Sequence, residues 1–171
     1  RSLCKDGAEA TDAGVLAHLV ATQLRRLIEL ESVAVYECHG DSFIPISIDS
    51  LNQSPAIPFV ALSKNDQAIL RITSQPSATE MIGIETALPS NSIAFPMVAG
   101  GRLIGVVVCM RQQALTYYDR DVRRMVERFV CTIGSMLVFL RSRYCERYPE
   151  PRVRSHRSSR AAFAGAASDP R

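Results

Sequence analysis

The sequence has no apolar run long enough to cross a bilayer. A spanning helix needs about 20 consecutive apolar residues, whereas Arg102 interrupts the longest apolar stretch and the next, residues 132–140, is too short. Residues 1–12 also lack the apolar segment of a secretory signal. These residues therefore predict a globular domain that does not span a membrane.

Motifs that would indicate catalysis are missing as well. The chain contains no nucleotide-phosphate loop, HExxH, GxSxG or paired-carboxylate arrangement. Its three histidines, His18, His39 and His156, lie in unrelated settings. Gly100 and Gly101 lie between two predicted strands with no helix after them, which is typical of a turn rather than of a phosphate-binding loop. We therefore predict no enzymatic activity, no catalytic residue and no metal site.

The five cysteines form an odd set without a C-x-x-C pair. This pattern fits neither a disulfide framework nor a zinc site and favours a reducing compartment, which we expect to be the cytoplasm. Cys109 and Cys131 lie within apolar runs, so both are expected to be small core residues.

The net charge of +3 is unevenly distributed. Residues 141–171 contain eight arginines and three acidic residues, so residues 1–140 carry a net charge of −2. Basicity confined to one end gives no sign of a nucleic-acid-binding face on the domain, and no nucleic-acid partner is expected. The composition of residues 144–171 predicts a disordered, Arg-rich tail.

The strongest structural signal is the apolar stretch at residues 92–110. Two segments rich in β-branched residues flank Gly100 and Gly101, which predicts a hairpin with a two-residue turn. A regular register from this turn places Phe95 opposite Val106. Both faces of such a hairpin are apolar, so it is expected in the middle of a sheet with material packed on each side.

Helical and strand patterns surround this hairpin. Apolar residues at helical spacing predict a first helix that begins at Thr11 or Asp12. Residues 33–38 and 43–48 predict a second hairpin, and Pro45 places its second strand at a sheet edge or in a bulge.

The region between the hairpins is less regular. A short helix is predicted at residues 67–73 with Asn65 or Asp66 as N-cap, and a single helical turn at residues 78–82. A capping box at residues 116–119 predicts the start of a long amphipathic helix.

The segment I-A-F-P-M-V-x-G-G-R-L-I-G-V-V-V, followed by a polar loop, Y-Y-D and the long helix, resembles the C-terminal half of a GAF domain. T-A-L-P before A-F-P resembles the GAF domains of bacterial signalling proteins. The resemblance covers residues 11–143, with residues 1–10 as an N-terminal linker and 144–171 as the tail. It implies an α+β fold, with a central antiparallel sheet, two long terminal helices on one face, and a short helix plus loops capping a pocket on the other.

Signatures of specialised GAF domains do not match this sequence. Residues 63–66 do not follow the N-K-x-n-F-x-x-x-D-E pattern of cyclic-nucleotide-binding members. No cysteine lies between Cys38 and Cys109, which argues against bilin attachment and against free methionine sulfoxide reductases. The sequence identifies no cofactor.

The resemblance implies that the segment before the central hairpin walls a pocket for an unknown small molecule. Its polar residues are candidate ligand contacts, namely Arg71, Thr79, Glu80, Glu85 and Thr86. The alternative for each is an ordinary solvent-facing loop residue that binds no ligand. The sheet residues Phe95 and Met97 either floor the pocket or fill it, and the sequence leaves open which sheet face meets it.

The predicted function is a sensory or regulatory domain that binds a ligand, dimerises, or does both, and signals through its terminal helices. The apolar faces of these helices favour a homodimer with Ile133, Leu137 and Leu140 at its interface. The alternatives are a ligand-free dimerisation or protein-interaction module and, more remotely, a cysteine-dependent redox enzyme. Because the sequence begins with Arg1, we expect a piece of a longer protein with upstream signalling or membrane domains.

Overall fold

The computed structural model describes residues 2–51, 57–111 and 120–147, with side chains for 13–51, 57–111 and 120–142. In this part of the chain the elements are α1 (Ser2–Leu27), β1 (Ser32–His39), β2 (Ser42–Ser50), β3 (Leu62–Ser63), α2 (Gln67–Ser74), β4 (Thr79–Glu80), β5 (Ser92–Ala99), β6 (Arg102–Met110) and α3 (Arg120–Arg147).

The strands form an antiparallel sheet in the order β3-β2-β1-β6-β5-β4, so β1 and β6 are central. Helices α1 and α3 pack on one side of this sheet, which we call the helix face. Helix α2 packs on the opposite side, the cap face. Residues 57–91, which contain α2, the loops around it and the short edge strands β3 and β4, are together called the cap. This α+β arrangement confirms the predicted fold class.

The helix face is covered because both long helices present an apolar stripe to alternate residues of the strands. Three alanines of α1 in steps of four, Ala13, Ala17 and Ala21, are buried and let this helix lie close to the sheet. The rest of the core on this face is made of Val20, Leu24, Ile28, Leu30, Val33, Val35, Ile93, Phe95, Met97, Val107, Cys109, Val126, Val130, Ile133 and Leu137.

The cap face has a second apolar core. It is built from the strand residues that alternate with those of the helix face, together with α2 and the neighbouring loops. Its members are Ala34, Tyr36, Phe43, Ile57, Leu62, Ala68, Ile69, Ile72, Met81, Leu88, Ala94, Val106, Val108 and Met110. The space between α2 and the sheet is thus occupied by bulky side chains.

The central hairpin forms as predicted, but its register is not regular. Gly100 and Gly101 have positive φ angles of 57° and 74°, as a primed two-residue turn requires. A bulge then shifts the pairing, so Phe95 lies opposite Val107 rather than Val106. Because side chains alternate with a period of two, this one-residue shift turns Val106 to the cap face. The predicted pairing of Phe95 with Val106 is therefore wrong.

The first hairpin, β1 with β2, also contains a bulge. Val35 pairs with Ser47 and Tyr36 pairs with Pro45, which leaves Ile46 as the extra residue. A proline at this point cannot donate a ladder hydrogen bond, so the bulge beside Pro45 agrees with the prediction.

Several predicted boundaries change. Helix α1 begins at Ser2 rather than at Thr11 or Asp12, and β4 replaces the predicted helical turn at residues 78–82. Helix α3 continues to Arg147, into the predicted tail. The capping box at residues 116–119 lies outside the described residues, and the division into linker, domain and tail stays a prediction.

Candidate functional site

A cavity of about 600 Å³ lies at the β4 edge of the sheet, where the end of α2, strand β4 and helix α3 meet. We call it the edge cavity. Its size is typical of small-molecule sites, which occupy about 300–1,000 Å³. Three candidates from the sequence, Arg71, Thr79 and Glu80, lie in its wall. The full lining is Arg71, Ser74, Gln75, Ser77, Ala78, Thr79, Glu80, Ile82 and Arg123.

Arg123 brings helix α3 into the edge cavity, and sequence reasoning did not single it out as a candidate. Its Nη2 donates to Oε1 of Glu80 at 2.6 Å, which joins α3 to β4. Both side chains are partly exposed, so this ion pair contributes at most about 1 kcal/mol. The Nε–H of Arg123 is buried and has no hydrogen-bond acceptor among the described residues. The guanidinium therefore uses only part of its donor capacity.

A second bond joins the cap to α3 next to Arg123. The backbone N–H of Ala78 donates to Oε1 of Glu127 at 3.2 Å. The chain around Ala78 is held by a local hydrogen bond as well, since Oγ1 of Thr79 donates to the carbonyl oxygen of Ser77 at 3.0 Å. The loop is therefore bonded directly to α3 as well as being connected to it through the sheet.

Arg71 reaches the edge cavity from the last turn of α2. This helix begins at Asp66, whose Oδ1 accepts from the N–H of Ala68 at 2.8 Å, as predicted for the N-cap. Burial of Ala68, Ile69 and Ile72 leaves Arg71 on the exposed side of α2. Its guanidinium group forms no hydrogen bond or ion pair within the described part of the chain.

Glu85 and Thr86 lie at the opposite end of α2 from Arg71. Oε2 of Glu85 accepts from Nε2 of Gln67 at 3.4 Å, and Oγ1 of Thr86 donates to Oδ2 of Asp66 at 2.9 Å. These contacts fix the loop after β4 to the start of α2. The structure does not bring these two residues into the edge cavity, and a ligand-binding role for them stays a prediction.

Phe95 and Met97 face away from the cap. Both are fully buried on the helix face, where they pack among residues of α1 and α3. They fill the helix-side core, and the structure does not bring them to the edge cavity. A ligand-binding role for these two side chains therefore has no support from their position.

A second cluster of charges joins the far end of α3 to the central strand β1. Glu37 is 5% exposed, and its Oε2 accepts from Nη2 of Arg141 at 2.5 Å. The ring Nε2 of His39 lies 3.1 Å from the same oxygen. Sequence reasoning missed this cluster, although a glutamate among the apolar residues of β1 was a signal for a buried partner.

The cysteines differ in environment. Cys109 is buried, and the loss of solvation raises the pKa of its thiol to about 12. Cys131 is exposed, so the prediction that it lies in the core is wrong. Cys38 is half-buried beside a separate cavity of about 470 Å³. Within the described residues no group of three possible metal ligands occurs.

The predicted dimer residues are mostly inside one chain. Ile133 and Leu137 are 6% and 1% exposed and belong to the helix-side core, whereas Leu140 is partly exposed. Among the side chains of α3 that the structure describes, the large apolar ones left exposed are Met125, Phe129, Met136, Val138 and Phe139. Of the helices described, none has the length and apolarity that a bilayer span requires.

Comparisons with a family model and with solved structures identify the same fold. The family model described as GAF domain matches residues 12–135. No curated protein sequence matches the chain. Many solved structures are similar, among them a GAF domain/HD domain protein from Geobacter sulfurreducens. It is 18% identical, covers 81% of this chain and 98% of its own, and has a TM-score of 0.66.

Two further structures illustrate the range of proteins with this fold. The GAF-B domain of DevS from Mycobacterium smegmatis is 14% identical, covers 77% of this chain and 96% of its own, and has a TM-score of 0.60. Free methionine-R-sulfoxide reductase from Neisseria meningitidis is 13% identical, covers 81% of this chain and 86% of its own, and has a TM-score of 0.62. Identities this low show a shared fold and not a shared activity.

Proposed function

The chain belongs to the GAF domain family, and on that premise we propose that it is a sensory or regulatory module of a bacterial signalling protein in the cytoplasm. A small-molecule ligand, a second copy of the chain, or both would set the positions of helices α1 and α3. Fusion to further domains is part of the proposal. It is supported by the similar Geobacter protein, whose name joins a GAF domain to an HD domain.

The observation that carries the proposal is the direct connection between the cap and α3. Glu80 and the N–H of Ala78 are bonded to Arg123 and Glu127 of the helix. A ligand that prefers one arrangement of the cap would therefore favour one position of α3, which is a population shift between two states. At its other end α3 is bonded to the sheet through Arg141 and Glu37, so a shift of the helix would also change the distance between these two side chains.

A second copy of the chain is the expected partner of the exposed side of α3. Exposed residues of α3 are spaced alternately by four and three positions, from Met125 through Phe129, Thr132 and Met136 to Phe139. This is the spacing of a coiled-coil seam. On α1, Val15 and Leu19 are also more than half exposed. These side chains replace Ile133 and Leu137 as the proposed contact between two copies.

Association is tested by sedimentation equilibrium on the whole chain at tens of micromolar. A mass near two chains is expected for the wild type and a mass near one chain for Phe139→Glu. Cys131→Glu is the matched control because it adds the same charge at an exposed position of α3 outside this seam. A monomeric wild-type chain, or equal effects of the two variants, would contradict the dimer.

Transmission along α3 is tested by hydrogen exchange and mass spectrometry. Glu127→Gln weakens the bond to Ala78, and faster exchange is expected in residues 74–82 and along α3 as far as Arg141. Arg124→Ala is the control, since Arg124 is exposed on the same helix. A change confined to residues 120–130 would mean that the contact is a local clamp and would count against a signalling role for α3.

The second candidate is a dimerisation or protein-interaction module without a ligand. The occupied cap face favours it, because Tyr36, Ile69, Ile72 and Met81 are at most 1% exposed and fill the space between α2 and the sheet. This candidate predicts the same dimer but no small molecule that stabilises the chain.

The remote redox alternative has less support. A reactive thiol needs thiolate character and access, and burial that raises the pKa of Cys109 to about 12 opposes both. The similarity to the methionine-R-sulfoxide reductase is a similarity of fold. Absence of a free-methionine-sulfoxide reductase activity in the purified chain is the expected assay result.

A further inference from the structure

We propose that the edge cavity binds a small molecule that carries an oxyanion group, a carboxylate or a phosphate, and that Arg71 and Arg123 hold this group. The proposal rests on the regulatory function proposed above and names the chemical class of its ligand. It also assigns the site to the β4 edge of the sheet and not to the filled space beneath α2.

The charges in the edge cavity favour an anion. Arg71 and Arg123 contribute two positive charges to the lining, and Glu80 contributes one negative charge. Arg71 has no acidic partner in the described part of the chain. The other polar residues of the lining carry hydroxyl groups or an amide, namely Ser74, Gln75, Ser77 and Thr79. Such groups hydrogen-bond an anion without repelling it.

The state of Arg123 gives a second and independent reason. Nε and Nη2 lie on one edge of a guanidinium group and together donate two hydrogen bonds to an oxyanion. In Arg123 only Nη2 has a partner on this edge, Oε1 of Glu80, while Nε is buried without one. Buried donors are nearly always satisfied in folded proteins, so an unsatisfied one needs an explanation. An oxyanion that displaces the Glu80 carboxylate would bond both nitrogens.

The displacement costs little on the protein side. Glu80 lies in a two-residue edge strand, and its side chain is 44% exposed, so the released carboxylate returns to water. A partly exposed ion pair contributes at most about 1 kcal/mol. The ligand would replace it with contacts to Arg71 on α2 and Arg123 on α3 together. Bound in this way, it would link the cap to α3 more firmly than Glu80 does.

Binding is tested by thermal melts and calorimetric titration of the whole chain with two probes, inorganic phosphate and succinate, against sodium chloride at equal ionic strength. At least one probe is expected to raise the Tm and to bind with a Kd below about 10 mM. A response to only one probe identifies whether the group is a phosphate or a carboxylate. No response beyond that of chloride at 50 mM of either probe would overturn the proposal.

Four variants locate the site. Arg71→Ala and Arg123→Lys are expected to weaken binding by about tenfold or more, the second because lysine keeps the charge but loses the paired donors. Arg124→Ala, one residue away and outside the cavity lining, is expected to bind like the wild type. Glu80→Gln is expected to bind severalfold more tightly, because it removes the competing carboxylate.

Two results with the variants would refute the assignment. One is equal weakening by Arg124→Ala and Arg71→Ala, which would indicate a general charge effect. The other is weaker binding by Glu80→Gln, which would show that no exchange takes place at Arg123. The nitrogen-15 shift of Arg123 Nε provides a direct readout, since it should move on titration. The dimerisation and exchange experiments above contain no ligand, so failure here leaves the proposed function to be judged separately.

Discussion

Replacement of Gly105 by alanine is expected to destabilise the domain strongly. Gly105 lies in the central strand β6, where it pairs with Glu37 of β1 and Met97 of β5. A Cβ atom on Gly105 would collide with Cε of Met97 and with the backbone oxygen of Tyr36. The end of the methionine side chain can rotate away. The carbonyl oxygen belongs to the other central strand and moves only if the sheet moves.

The expected loss is at the upper end of the range for overpacking. Extra atoms in a packed core cost about 1–3 kcal/mol, and a collision with backbone in the middle of the sheet favours a loss of about 3 kcal/mol. For a chain of this length each kcal/mol lowers the Tm by about 2–4 °C, so a decrease of roughly 6–12 °C is expected. Thermal melts followed by circular dichroism, with urea titrations for the free energy of unfolding, measure it.

Gly14→Ala is the matched control for Gly105→Ala. Gly14 lies in α1, and a Cβ atom there would meet no other group within 4 Å. Alanine is favoured over glycine in a helix by up to about 1 kcal/mol, so this variant should be as stable as the wild type or more stable. If both alanine variants melted within 2 °C of the wild type, the close approach of β1 to β6 at Gly105 would be refuted.

Three further predictions concern buried groups. Arg141→Ala should lower the free energy of unfolding by about 2 kcal/mol, because it removes the positive charge that pairs with the buried Glu37 carboxylate. Adding Glu37→Gln should recover part of this loss in a double-mutant cycle, and full additivity of the two changes would contradict the pairing. Burial raises the pKa values of Tyr36 and Cys109 to about 12. Because the unfolded chain loses these two protons at lower pH than the folded chain, the free energy of unfolding should keep its full value below pH 9 and decrease between pH 9 and 12. Tyr36→Phe should flatten the part above pH 10, and an unchanged slope would count against a buried phenol. Val106→Asp should abolish the cooperative melt, since it places an unpaired carboxylate in the cap-face core; a native-like melt would show that this core tolerates a charge.

The order of the longer elements could be predicted because each of them carries a strong local signal. Helical periodicity with Asn65 or Asp66 as the cap predicted α2, and Gly100 and Gly101 between apolar strands predicted the central hairpin. The same stretch carries the resemblance to GAF domains that the family match confirms. Local signals were weaker at the ends of helices. Residues 2–10 extend α1 to Ser2, but they carry no apolar stripe that would have indicated a helix.

The register of the central hairpin could not be predicted from its residues. Both β5 and β6 are apolar on each face, so the alternation of side chains did not distinguish a regular ladder from a bulged one. The bulge shifts Val106 to the cap face, and it places Val107 opposite Phe95 on the helix face. Phe95 was a candidate pocket residue because the sequence left open which sheet face meets the pocket.

By itself the sequence determined the fold family, the number and order of the main elements and the absence of familiar catalytic motifs, since these depend on short patterns. Tertiary structure alone decided which side chains meet. Arg71 and Arg123 come together only because α2 and α3, on opposite faces, reach the same edge of the sheet. Glu37 and Arg141 are 104 residues apart and pair through the packing of α3 on β1. Local periodicity states which face of an element is buried, but contacts between elements depend on register, bulges and helix placement.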